Sequence, residues 1–107
     1  MKRGEIWWVS FDPAQGSEIQ KTRPAVIVSN DAANRVLNRA QVIPISSQVQ
    51  KIYVSETLVR VLGKQGKVMA DQIRTVDKSR IKTFINTVSD AELAGIERII
   101  KIQLGLT

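Results

Sequence analysis

Cysteine and histidine are both missing from this 107-residue chain. The first absence excludes disulfides and thiolate nucleophiles, and the second removes the side chain that usually shuttles protons near neutral pH. Together they take away the residues that build zinc sites, so no metal or other cofactor is expected and any chemistry falls to hydroxyls, carboxylates, amides and cations. The chain also lacks an apolar run long enough to span a bilayer. Its opening Met1-Lys2-Arg3-Gly4-Glu5 leads into no apolar leader core, so a cytoplasmic protein is expected. No internal repeat, linker or low-complexity stretch interrupts the sequence. At this length it can bury one sizeable core, which predicts a single domain over residues 1–107.

Positive charge is in surplus. Sixteen Lys and Arg stand against ten Asp and Glu, a formal net charge of +6. That balance favours a polyanionic partner, nucleic acid first, although a basic soluble domain without such a partner has the same composition.

Periodicity predicts strands first and a helix last. Glu5 to Phe11 (EIWWVSF) is rich in aromatic and β-branched residues and meets a turn at Asp12-Pro13, with Trp7, Val9 and Phe11 sharing one face. Pro24 to Ser29 is almost wholly apolar and reads as a strand buried on both sides. Ala40 to Ser46 reads as a third strand in which Pro44, unable to donate to a ladder, argues for an edge or a bulge. Thr57 to Leu62, Lys67 to Thr75 and Phe84 to Val88 complete the β-rich middle. Ser89-Asp90-Ala91-Glu92 has the form of a capping box, Leu93, Ile96, Ile99 and Ile100 follow helical spacing, and Gly105 suits a left-handed stop. A helix over about Asp90 to Leu104 follows, and the whole predicts an α+β fold, a compact β-barrel with an appended helix.

Three segments offer chemistry. The connection from Pro13 to Arg23 is longer than a hairpin needs and carries Glu18, Lys21 and Arg23; Pro24 restricts Arg23 to extended backbone, a rigid mount for a guanidinium. An ordinary charged rim explains the same residues. Ser46-Ser47-Gln48 places hydroxyls and an amide after the Pro44 strand, and a simple turn explains these equally. Asp71 to Arg80 includes Gln72 and Arg74 and suits a phosphate backbone, or else a solvated strand and turn with Asp77 as a cap. Of Trp7 and Trp8, alternating across one strand, at least one belongs to the core; the other is a candidate platform for an unstacked base. Arg35 and Arg39, in an expected helical loop, read as a solvated face.

At these segments the sequence resembles the MazF/PemK family of toxins over almost its full length. The shared pieces are Lys2-Arg3-Gly4-Glu5-Ile6-Trp7, Gly16-Ser17-Glu18, Arg23-Pro24-Ala25-Val26, Pro44-Ile45-Ser46 and Ala70-Asp71-Gln72-Ile73-Arg74-Thr75, in that order. The resemblance implies an SH3-like barrel of the CcdB/MazF/PemK kind, a homodimer, an RNA groove across the dimer interface, and a cognate MazE-like antitoxin whose acidic disordered tail blocks the groove. It implies an endoribonuclease with Arg23, Ser46 and Glu18 as the catalytic residues. Lys21, Ser47, Gln48, Gln72 and Arg74 are candidate RNA contacts. Many members carry Thr where this chain has Ser46, so the hydroxyl is kept without its methyl brace.

Attack by a ribose 2′-hydroxyl on the neighbouring phosphate needs positioning, a proton acceptor, a proton donor and charge stabilisation, none of which demands a metal. A guanidinium is hard to deprotonate, which assigns Arg23 to clamping phosphate and Glu18 to the base role. The competing expectations are a CcdB-like gyrase poison and a noncatalytic RNA-binding barrel.

Overall fold

The structure, a computed structural model, describes residues 1–12, 16 and 21–106. Among these residues seven strands, β1 (Glu5–Ser10), β2 (Thr22–Ile27), β3 (Arg39–Ser46), β4 (Glu56–Val61), β5 (Lys64–Met69), β6 (Arg74–Asp77) and β7 (Ile81–Thr87), form one antiparallel sheet. Two helices, α1 (Asp31–Val36) and α2 (Asp90–Leu104), accompany it. The strand order is β4-β5-β3-β2-β1-β7, with β6 also paired to β3. The sheet curls into a half-barrel closed by α2, an α+β fold.

Both faces of the central strands are buried, as the near-continuous apolar run in β2 requires. Ile6, Val26, Ile43, Ile45, Val59 and Val68 form one core with Ile96 and Ile99 of α2. The alternate residues Val9, Phe11, Ala25, Ile27, Val42 and Val76 form a second, against which Trp7 packs. Trp7 also meets Phe84 edge-on, with ring centroids 5.7 Å apart. The expected grouping of Trp7, Val9 and Phe11 is therefore what the second core contains.

α2 begins and ends where its local signals place it. Ser89 Oγ accepts the Glu92 N–H while Glu92 Oε1 accepts the Ser89 N–H, so the capping box is complete. Gly105 takes the left-handed conformation, φ 70°, and the Leu106 N–H closes on the Lys101 carbonyl.

The expected strand from Lys67 to Thr75 is divided by a 3₁₀ turn at Ala70–Gln72 into β5 and β6. Both halves pair with β3: Val68 faces Ile45 and Arg74 faces Val42. Six residues forward on this segment meet only three backward on β3, and the excess of three is the turn itself. Pro44 lies between those two pairings. It is buried in the interior of the sheet and faces Ala25 of β2, so it is not on an edge, and its missing N–H coincides with the change of partner. Arg39, expected in a helical loop with Arg35, instead opens β3 because Asp77 pairs with it. Asp77 also caps a 3₁₀ turn at Lys78–Arg80, accepting the Ser79 N–H at 2.8 Å, as its position before a turn suggested.

β4 and β7 are the two ends of the strand path. No ladder joins them, but the side chain of Asn86 on β7 does: its Oδ1 accepts the Leu62 N–H at 2.9 Å and its Nδ2 donates to the Arg60 carbonyl at 3.2 Å. Glu92 of α2 accepts the Arg60 N–H at 2.7 Å, so the exposed edge of β4 is satisfied by side chains.

Candidate active site

Where β2 begins and β3 ends, they and the β4–β5 hairpin enclose a cleft of about 320 Å³. Its origin is sequence alternation. Trp8 and Pro24 lie on the same face of the sheet as Ile6 and Val26, the first core's face, but beyond the reach of α2, so that core opens to solvent there. Trp8 is 40% exposed although it belongs to a central strand. Trp8, Pro24, Ile45 and Val61 make the apolar walls; Thr22, Arg23, Ser46, Ser47, Lys64 and Gln65 make the polar rim. Gly66 forms the floor, where a Cβ would stand 2.5 Å from Ile45 Cγ2. That approach demands glycine inside β5.

Arg23 and Ser46 are brought together by register. Ala25 faces Pro44 across the β2–β3 pair, and Arg23 and Ser46 each lie two residues further toward the same end. Both therefore share the face of Ala25 and Pro44, opposite that of Trp8 and Pro24, and both border the cleft from its rim, where β2 begins and β3 ends. Arg23 is half-buried, its extended backbone paired with Val9 of β1 as Pro24 dictates. Ser46 Oγ accepts the Gln48 N–H at 3.1 Å. That bond uses one lone pair and orients the oxygen, leaving the hydroxyl proton to be donated elsewhere.

The other expected residues are distributed unevenly. Ser47 borders the cleft, and Gln48 is exposed just beyond it, tied to Ser46. Lys21 is exposed at the root of the long connection in left-handed backbone, φ 68°, with its N–H on Asp12 Oδ1 at 2.8 Å; it does not border the cleft. Glu18 lies outside the described residues. Gln72 sits half-buried in the 3₁₀ turn, and Arg74 places its guanidinium 5.6 Å from the Phe11 ring centroid, on the second core's side of the sheet. Neither borders the cleft. Trp8, not Trp7, is the ring available for stacking.

Sequence reasoning missed Thr22, Lys64 and Gln65. The isolated glycine at Gly66 was the signal at hand, since a glycine inside a strand marks close backbone approach, but it does not say what approaches. Among the described residues that border the cleft none is acidic, and Arg23 and Lys64 are cationic. An anion with an apolar or aromatic portion suits such a surface, and a nucleotide has both parts.

The sequence profile of the "PemK-like, MazF-like toxin of type II toxin-antitoxin system" matches residues 2–104. The chain is 41% identical over 115 residues to Endoribonuclease MazF9 of Mycobacterium tuberculosis, covering 99% of this chain and 98% of that one. Among solved structures, MazF from Deinococcus radiodurans superposes with a TM-score of 0.88 at 30% identity, covering 99% and 97% of the two chains. A MazE–MazF complex from the same organism gives a TM-score of 0.80 at 28% identity over 100% and 97%. Among the described residues no helix is long and apolar enough to cross a membrane.

Proposed function

Because this chain belongs to the PemK-like, MazF-like toxins of type II toxin–antitoxin systems, we propose that it is an endoribonuclease that cuts single-stranded RNA in the cleft bordered by Trp8, Arg23 and Ser46. The observation that carries the reading is that Arg23 and Ser46, at adjoining strand ends, border one cleft together with an exposed indole ring. Neither a gyrase poison nor a passive RNA binder needs a guanidinium and an oriented hydroxyl bordering one cleft.

The proposed reaction forms a bond from the ribose 2′-oxygen to phosphorus and breaks the bond from phosphorus to the 5′-oxygen. The 2′-hydroxyl proton leaves to a base and the departing 5′-oxygen gains one, giving a cyclic phosphate and a 5′-hydroxyl. Arg23 holds the non-bridging oxygens as their charge grows, a task for a fixed, permanently charged fork. Ser46 donates its free proton to one of those oxygens, and Glu18 takes the base role on chemical grounds alone. Trp8 stacks a neighbouring base and holds the strand in register. Lys21, Ser47 and Gln48 flank the path of the strand; Gln72 and Arg74 contact RNA only where it extends beyond the cleft.

In this reading the chain acts in the cytoplasm as one toxin domain over residues 1–107, as a homodimer, and a cognate antitoxin restrains it. The surplus of positive charge selects an acidic, extended antitoxin segment. Incubation of the purified protein with mixed single-stranded RNA is the test. Discrete fragments with 5′-hydroxyl ends support the reading, whereas a shifted but intact strand, or arrested gyrase with untouched RNA, would replace it.

A further inference from the structure

The wall of the cleft opposite Arg23 is built by the β4–β5 hairpin, whose geometry is unusual. Val61 pairs with Lys64 across a two-residue turn in which Leu62 and Gly63 both have positive φ, 51° and 82°. This is the turn that matches strand twist, and its first central position normally takes Asn, Asp or Gly. Leucine in that conformation is strained, and such strain persists only where surrounding contacts enforce it. Two side chains hold it: Asn86 accepts the Leu62 N–H and donates to the Arg60 carbonyl, and the Arg60 guanidinium donates to the Gly63 carbonyl at 3.2 Å. The amide from β7 is the contact that ties the tip of the hairpin to another strand.

The orientation of that tip follows from alternation. Val59 and Val61 share a face with Gly66 and Lys64, their partners on β5, and Val59 belongs to the first core while Gly66 lies against Ile45. Lys64 therefore stands on the core-facing side of the hairpin where that core opens into the cleft, whereas Gln65, facing Arg60, takes the outer side. On that face Lys64 is the partner of Val61, and both border the cleft, where a long lysine stem can reach its charge to solvent. Among the described residues no carboxylate pairs with it; the ion pairs there are Arg3–Glu97 and Lys67–Glu56.

We infer that Lys64 is a second phosphate-binding residue, holding the phosphate that flanks the base stacked on Trp8, and that Asn86 is the positioning residue that sets Lys64 in place. The inference rests on the endoribonuclease reading and extends it: Arg23 grips the reacting phosphate from the sheet side and Lys64 a neighbouring one from the hairpin side. A lysine suits this role because a non-reacting phosphate needs a point charge, not a geometrically exact fork.

The test is binding of a labelled, mixed-sequence single strand carrying 2′-deoxyribose throughout, which 2′-hydroxyl attack cannot cut, followed by anisotropy across a salt series. Lys64→Gln is expected to weaken binding roughly tenfold and to lower the log–log salt slope by about 0.7, the loss of one phosphate contact on a single strand; Lys64→Arg restores both. Asn86→Ala reproduces much of the Lys64→Gln slope change and adds nothing to it in the double variant, while Asn86→Asp, which keeps the acceptor for Leu62, loses less. Lys64→Gln with the parent's affinity and slope overturns the inference. So does an Asn86→Ala loss that adds fully to that of Lys64→Gln. If the parent cuts RNA and Lys64→Gln leaves binding unchanged, only the inference falls; if the parent neither cuts RNA nor binds the strand, the endoribonuclease reading falls with it.

Discussion

Lys67 Nζ and Glu56 Oε1 lie 3.1 Å apart with both side chains almost withdrawn from solvent. The same carboxylate oxygen accepts the Tyr53 N–H at 2.8 Å, the same ammonium donates to the Lys51 carbonyl at 3.1 Å, and the ammonium stands 5.3 Å from the Tyr53 ring centroid. One buried pair thus fastens the segment between β3 and β4 onto β5. Removing one partner strands the other charge, so Glu56→Ala or Lys67→Ala should each cost about 3 kcal/mol. Replacing both with apolar residues of similar volume, Glu56→Leu with Lys67→Met, should cost much less than either alanine. Urea midpoints of the three variants check this, and equal losses in all three would show that packing, not stranded charge, dominates.

Arg23 and Ser46 should differ in how much cleavage depends on them. Arg23→Ala removes the charged clamp and should slow cleavage by about a hundredfold or more. Ser46→Ala removes one hydrogen bond from a neutral donor to the charged phosphate, worth about 1.5–2 kcal/mol, and should slow it by roughly tenfold to thirtyfold. Ser46→Thr keeps the donor and should retain most activity. Neither alanine variant should shift thermal unfolding by more than a few degrees, because both residues are only half-buried. Single-turnover rates with a ribo-oligonucleotide measure the order; a larger loss in Ser46→Ala would move the central role to the hydroxyl.

These two residues also show what was legible. Arg23-Pro24 and Ile45-Ser46 carry their chemistry in short runs, and the antiparallel register that joins them follows from two apolar strands with matched periods. α2 was equally open to reading because its cap, apolar stripe and left-handed stop are all local. The division of β5 from β6 was not, because Ala70-Asp71-Gln72 contains neither glycine nor proline to announce a turn; the break exists to let one segment pair twice with β3. Lys64 was hidden for a related reason. Its place opposite Arg23 depends on how β5 registers on β3 and on an amide from β7, and neither contact leaves a periodic trace.

Acid should loosen the fold through Asp31 and Asp77. The Arg3 backbone N–H at 2.8 Å holds the Asp31 carboxyl below its usual value near 3.8, with help from Asn34. The Ser79 backbone N–H does the same for Asp77, with a further contribution from the Ser79 hydroxyl. A carboxylate whose folded value is depressed stabilises the fold above its unfolded value and loses that contribution as pH falls through the folded one. Stability should therefore be level above about pH 5 and decline below the ordinary carboxylate range. Asp31→Asn and Asp77→Asn should each flatten the decline. Denaturant midpoints from pH 6 to pH 2 would test this, and an unchanged acid limb in the double variant would assign the loss to other carboxylates.

The last prediction concerns the nucleophile. A chain without histidine or cysteine lacks the commonest ligands for a metal that activates water, while the cleft offers a guanidinium and an oriented hydroxyl, groups suited to stabilising a phosphorane made by the substrate's own 2′-oxygen. Cleavage should persist in excess chelator and should leave a cyclic phosphate on one fragment and a 5′-hydroxyl on the other. A single 2′-deoxy substitution at the scissile nucleotide should block cutting and leave affinity within about twofold, because phosphate contacts and stacking supply most of the binding to a single strand. Mass spectrometry of the fragments identifies the ends, and anisotropy with the substituted strand measures the affinity. Efficient cutting of that strand, or activity lost in chelator and restored by magnesium, would show that water rather than the ribose attacks.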